Sequence, residues 1–215
     1  MKIKGAIFDL DGTLIDSMFF WDDLGAEYLR QKGIIPPSNI NEILKALSLE
    51  QSARYLKETY AIKESEVEIK TEIISLIENQ YRYRFPLKPY VAPFLDRLYE
   101  NRVKMCIATA TNHELATAAL KRLGIAKYFD FILTCTEAGM GKDDPQFFLK
   151  ALEMLKTPKS ETIVFEDALH AIKSAKLAGL YVVAVYDKSS DGDKKEIKSA
   201  ADIYINSFED WEMIS

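Results

Sequence analysis

Short apolar, β-branched runs punctuate the chain at residues 3–8, 103–108, 131–133, 162–165, 182–185 and 203–205. Each is strand-sized and apolar at successive positions, as expected of strands buried on both faces. From Val91 onward they alternate with segments of helical spacing at residues 94–100, 114–123, 145–155 and 168–178. The alternation predicts an α/β fold, a Rossmann-like parallel sheet with right-handed crossovers and helices on both faces.

The alternation breaks between about residues 17 and 84. Apolar residues there recur at helical spacing, as in Leu24, Tyr28 and Leu29, then Ile43, Leu44 and Leu47, then Ile69, Ile73, Ile74 and Ile77. This predicts an inserted all-α helical bundle. Three prolines in nine residues, "FPLKPYVAP" from Phe85 to Pro93, mark the return of the chain. The expected division is residues 1–15 and 87–215 for the α/β core, with residues 16–86 as a helical cap domain hung from the loop after the first strand. The charged stretch "DKSSDGDKKEIKSA", from Asp187 to Ala200, reads as a solvated loop running into a surface helix.

A length of 215 residues suits one or two domains. The net charge of −5 argues against a surface built for nucleic-acid phosphates, so the expected partner is a small molecule. No nucleic acid, membrane or protein partner is implied. The two cysteines, Cys106 and Cys135, each lie in an apolar stretch and are expected as buried reduced thiols. Asp9 interrupts the first apolar run too early for a signal-peptide core, and no stretch approaches the roughly 18 apolar residues of a membrane helix. The expected location is cytoplasmic.

The first strand runs straight into an acidic pair, "IFDLDGTLID", with Asp9 and Asp11 one residue apart. A calcium loop of the EF-hand kind would need Gly and Glu at its sixth and twelfth positions, where Leu14 and Phe20 stand. A turn with Gly12 at positive φ is one remaining reading. The other is catalytic: ligands of open parallel sheets bind beyond the carboxyl ends of strands, and a divalent cation would relieve the repulsion between the two carboxylates.

Other strand ends favour the catalytic reading. The second strand closes on Thr109, after which Thr111 and Glu114 fit a capping box that would turn a helix N-terminus toward the same edge. "GMGKDDPQFF" follows the third strand, with Asp144 and Pro145 as expected N-cap and N1 of the next helix. It is not a phosphate-binding Walker loop, because Thr136 replaces the first glycine and Asp143 the final Ser or Thr. Lys142 is better read as a point charge aimed across the site. The fourth strand ends on a second acidic pair, Glu166 and Asp167, where Asp167 could also cap a helix. His113 and His170 have ordinary readings as helix residues.

"DLDGT" (Asp9 to Thr13), Thr109, Lys142 and "ED" (Glu166, Asp167), in that order, closely resemble the four motifs of the haloacid dehalogenase superfamily. The match is to its phosphatase and β-phosphoglucomutase-like branch with an α-helical cap. The resemblance implies a phosphatase working through an aspartyl-phosphate, with Asp9 as nucleophile and Asp11 as general acid and then base. Thr109, Ala110 and Lys142 would hold the phosphoryl group. Mg²⁺ would be bound by Asp9, the backbone carbonyl of Asp11 and Asp167, with Glu166 beside it or as a ligand. Near pKa ~3.9 an unperturbed Asp9 would be ionised without help from a base.

Five departures stand out. Asp143 follows the lysine where the family has proline, and Ala168 and Ala171 replace a serine and a glycine. In the insert, Trp21 stands where the mutases carry a histidine, and Leu49 where they carry the arginine that anchors a second phosphate. Trp21 is the expected substrate contact from the cap, with Asp16 and Ser17 at the hinge. A mutase must retain its intermediate, so losing that arginine favours transfer to water. The alternatives are a phosphosugar mutase and a catalytically silent regulatory or binding protein.

Overall fold

The computed structural model describes residues 3–45 and 47–213. The elements follow in the order β1 (Gly5–Phe8), α1 (Met18–Gln31), α2 (Ile40–Lys45), α3 (Leu49–Tyr60), α4 (Glu66–Tyr83), α5 (Val91–Glu100), β2 (Lys104–Thr109) and α6 (His113–Arg122). They continue with β3 (Phe131–Thr134), α7 (Cys135–Ala138), α8 (Pro145–Leu155), β4 (Thr162–Glu166), α9 (Leu169–Leu177), β5 (Tyr181–Val185), α10 (Lys194–Ala200) and β6 (Ile203–Ile205). By contact density the chain forms two compact units, residues 19–84 and the remainder.

The larger unit is an all-parallel six-stranded sheet in the order β3-β2-β1-β4-β5-β6. The chain winds outward from β1 through β2 to β3, then returns to lay β4 on the other side of β1. The direction of winding therefore switches between β1 and β4, where open parallel sheets leave a crevice at their carboxyl ends. Both faces are dry, which explains the unbroken apolar runs. On one face Ile7, Cys106 and Val164 pack with Phe147, Phe148 and Ile172. On the other, Phe8 stacks on Phe165 with ring centroids 4.6 Å apart, and Phe94 meets both edge-on.

Local chemistry sets the helix starts. Asp144 Oδ1 accepts from Gln146 N at 2.9 Å, and Pro145 occupies the first helical position of α8, as the sequence predicts. In the smaller unit, Ser48 with Gln51 and Ser65 with Glu68 form reciprocal capping boxes that open α3 and α4. Its apolar core holds Ala26, Tyr28, Leu29, Leu56, Ile69 and Ile73. No described helix is long and apolar enough to cross a membrane.

Two local expectations need correction. Cys106 is fully buried, but Cys135, in the short helix after β3, is only partly so. The stretch from Asp187 is not simply solvated. Asp187 is itself buried, a 3₁₀ turn covers residues 188–193, and α10 buries Ile197.

Candidate active site

Asp9 follows the last residue of β1, and its backbone N–H donates to Phe165 O of β4 at 3.0 Å. Two neighbouring parallel strands thus deliver Asp9, Glu166 and Asp167 to one end of the sheet, at the switch of winding. All three carboxylates are buried, and one oxygen from each lies within 4.8 Å of the other two. Lys142, from the loop between α7 and α8, enters the same cluster. Its ammonium donates to Asp9 Oδ1 and, at 2.7 Å, to Glu166 Oε1.

The hydrogen bonds sort the acids by role. Glu166 Oε2 accepts from the backbone N–H groups of Asp167 (2.6 Å) and Ala168 (2.7 Å), while Oε1 takes Lys142, so both of its oxygens are engaged. The expected capping by Asp167 is replaced by this arrangement: α9 has no side-chain cap, and Glu166 meets the neighbouring amides instead. Asp167 Oδ1 accepts from Thr13 Oγ1 at 2.9 Å. Gly12 makes this approach feasible. Its φ is +84°, and a β-carbon placed there would come 2.5 Å from Asp167 Oδ2.

Asp11 is held apart from that cluster. Its Oδ1 accepts from Ser17 Oγ at 2.7 Å and its Oδ2 from Thr111 Oγ1 at 2.5 Å. Thr111 is therefore not the helix cap its spacing suggests; Asn112 is, accepting from Glu114 N at 2.8 Å. Thr109 closes β2, is buried, and accepts from Thr111 N at 3.0 Å, and Ala110 is exposed between the two threonines.

Electrostatics mark the cluster as short of positive charge. Burial pushes the Asp9 carboxyl up to about 7; Lys142 opposes the shift, while Glu166 and Asp11 add to it. Asp9 is thus perturbed from the ordinary carboxylate value, because desolvation outweighs the effect of Lys142. Asp167 is likewise raised, by burial and then by Glu166 and Asp9. Burial works against the Lys142 charge, yet Asp9 and Glu166 hold its proton more tightly than in an ordinary lysine. A divalent cation fits this cluster: hard oxygen donors, buried, close together and under-neutralised by one lysine.

Trp21 belongs to the helical unit, where its ring meets Phe20 edge-on and lines an apolar cavity of about 450 Å³ with Leu24, Leu44, Leu49, Leu56 and Ile73. Of the two residues expected at the hinge, Asp16 is exposed, whereas Ser17 is fully buried as the donor to Asp11. His113 opens α6 and pairs with Glu137 at 2.9 Å, and His170 is exposed on α9. Sequence reasoning missed Ser17, Thr111 and the tie from Thr13 to Asp167. It also missed Lys88, which donates to Gly12 O at 2.6 Å from the return linker. The one local signal was the richness of the Asp11 neighbourhood in hydroxyls.

Residues 3–179 match the family model of the haloacid dehalogenase-like hydrolases. The chain belongs to this family. It is 26% identical over 191 residues to the phosphorylated carbohydrates phosphatase of Thermotoga maritima, covering 88% of each chain. It is 29% identical over 187 residues to hexitol phosphatase A of Escherichia coli, covering 86% of this chain and 84% of the other. Among solved structures, a provisionally assigned β-phosphoglucomutase of Thermotoga maritima superposes with a TM-score of 0.82 at 25% identity, covering 95% and 94% of the two chains.

Proposed function

We propose that this hydrolase is a Mg²⁺-dependent phosphatase that cleaves a small phosphorylated metabolite through an aspartyl-phosphate on Asp9. One observation carries the reading. Two carboxylates two residues apart sit in different environments, Asp9 among Lys142, Glu166 and Asp167, and Asp11 between the hydroxyls of Ser17 and Thr111. Carboxylates separated in this way can divide nucleophilic and proton-transfer work.

Asp9 and Asp167, with the backbone carbonyl of Asp11, would hold the ion. Glu166, whose oxygens are already bonded, would orient Lys142 beside it. Bound Mg²⁺ would offset the negative charge of phosphate and carboxylates and keep Asp9 ionised. An oxygen of Asp9 attacks phosphorus as the bond to the leaving oxygen breaks, and Asp11 gives that oxygen its proton. Asp11 then takes a proton from water, whose oxygen attacks the phosphoryl group and frees Asp9 and inorganic phosphate. Lys142 neutralises the phosphoryl oxygens. Thr109 accepts from Thr111 N through its hydroxyl oxygen, so its own O–H can donate to the phosphoryl group beside the Ala110 amide.

The family relatives named for phosphorylated carbohydrates and hexitols support a phosphorylated carbohydrate as the substrate class. We assign residues 16–86 as the helical cap domain and Trp21 as its substrate contact. Leu49, partly buried against the apolar core of its own unit, offers no charge to a second phosphate, which favours hydrolysis over mutase transfer. A silent binding protein is disfavoured because Asp9, Asp11, Thr109, Lys142 and Asp167 are all present. The test is phosphate release from an aryl phosphate and from a panel of sugar phosphates, with and without Mg²⁺. Release that needs Mg²⁺ and vanishes in Asp9→Asn supports the reading. Conversion of a sugar phosphate to its isomer without free phosphate would identify a mutase instead.

A further inference from the structure

Lys88 lies in the return linker, outside the four family motifs, yet it carries one of the most enclosed positive charges of the molecule, with its side chain 12% exposed. An ammonium has three N–H donors, and three acceptors surround this one. They are Gly12 O at 2.6 Å, Asp187 Oδ2 at 2.9 Å and Tyr186 O. Asp187 is anchored from its other side, where Oδ1 accepts from Ser189 N at 2.9 Å and Ser189 Oγ at 2.7 Å. The linker backbone adds two further bonds: Lys88 N donates to Leu14 O at 2.9 Å, and Asp16 N to Pro86 O at 3.0 Å.

A buried ion pair is poor evidence of stabilisation, since desolvation offsets most of the attraction, so its placement is what needs explaining. Here the charge ties the Gly12 carbonyl to Tyr186 O and Asp187, just beyond the end of β5. Gly12 is the residue whose missing side chain lets Asp167 approach, and its carbonyl belongs to the peptide that leads into Thr13, the donor to Asp167. The preceding peptide carries the carbonyl of Asp11. We propose that Lys88 is a positioning residue for the reaction, fixing the Gly12 carbonyl against the end of β5 through Asp187 and thereby setting the place of Asp11 and Thr13 relative to Asp167. Its role in turnover rests on the phosphatase reading; its hold on the loop does not.

The test compares the whole protein with Lys88→Met, which keeps most of the aliphatic stem and removes its charge and donors. Two readouts are taken. Hydrogen exchange at the Gly12, Leu14 and Ile15 amides, all bonded within the loop, is expected to quicken at least about tenfold relative to the amides of β2. With Mg²⁺ and a sugar phosphate, kcat is expected to fall about 10- to 100-fold with KM changed less than about threefold, as misplacement of reacting groups predicts. Loop exchange that keeps step with β2 in the variant would overturn the inference, whatever the thermal stability; so would full kcat in an active background. If the wild type releases no phosphate, the phosphatase reading fails, and the exchange comparison still decides the hold on the loop. Should Lys88→Met not fold, Asp187→Asn takes its place. The same pattern with smaller changes is expected, and unchanged loop exchange would overturn the proposal.

Discussion

Thr13 Oγ1 donates to Asp167 Oδ1 at 2.9 Å across 154 positions of sequence, joining the loop after β1 to the end of β4. The bond favours the ionised form of a carboxylate that burial pushes toward its neutral form. Thr13→Val keeps the shape and removes the donor. Partners of this kind behind a metal-binding carboxylate are typically worth about 10- to 100-fold in metal affinity. The Mg²⁺ concentration for half-maximal activity should rise by that factor, with kcat at saturating metal much less affected. An unchanged Mg²⁺ titration would detach Thr13 from the metal site.

Asp11 depends on two hydroxyls, Ser17 and Thr111. Replacing Asp11 by Asn leaves the size of the group but removes the proposed proton carrier, and a loss of about 10²- to 10⁴-fold in kcat is expected. Ser17→Ala and Thr111→Val should each lower kcat by a smaller factor with little change in KM, since both act on Asp11 rather than on substrate. Steady-state kinetics of the three variants would show it. A rise in KM at constant kcat in either hydroxyl variant would place that residue in binding instead.

Gly12→Ala meets two obstacles at once, a φ of +84° and a β-carbon 2.5 Å from Asp167 Oδ2. The backbone cost alone is about 1–2 kcal/mol. Chemical denaturation should register at least that loss, and activity should fall further than stability because Asp167 must move. A variant with native stability and activity would mean that the loop is looser than described.

Metal and pH are linked through Asp9. In the folded, metal-free protein its carboxyl titrates near 7, against 3.8 as the ordinary value, and Asp167 is raised in the same direction. Between those values the folded state binds more protons than the unfolded chain. These groups therefore make stability fall as pH rises from about 4 to about 7. Mg²⁺ needs the ionised carboxylates and takes the place of the proton. The gain in Tm on adding Mg²⁺ should be larger at about pH 7.5 than at about pH 5. Thermal scans at both pH values check this, and an equal gain at both would contradict the linkage.

The sheet was readable because its physics is local. Strands buried on both faces leave runs such as Ile163, Val164 and Phe165, and alternation with helices dictates parallel pairing. Asp9, Lys142, Glu166 and Asp167 were legible because each follows or ends a recognisable apolar run or precedes a capped helix. The supporting groups were not. Thr111 satisfies the spacing of a cap and Ser17 that of a hinge, Lys88 looks like a linker lysine, and Asp187 sits in a charged stretch. Only closure of the chain brings Thr111 to Asp11, 100 positions away, and Lys88 to Asp187, 99 positions away. The elevated Asp9 carboxyl was equally hidden, since desolvation depends on the walls of the site rather than on neighbours in sequence.

The central claim is that Asp9 accepts the phosphoryl group, and the most direct measurement looks for that group on the residue. Protein mixed with a sugar phosphate and Mg²⁺, quenched in acid during turnover and mapped by mass spectrometry, should carry one phosphoryl group on the peptide containing Asp9. The adduct should be absent without Mg²⁺ and from Asp9→Asn, and should disappear as substrate is exhausted. Phosphate release at full rate by Asp9→Asn, or a phosphoryl group found only on another residue, would contradict the account.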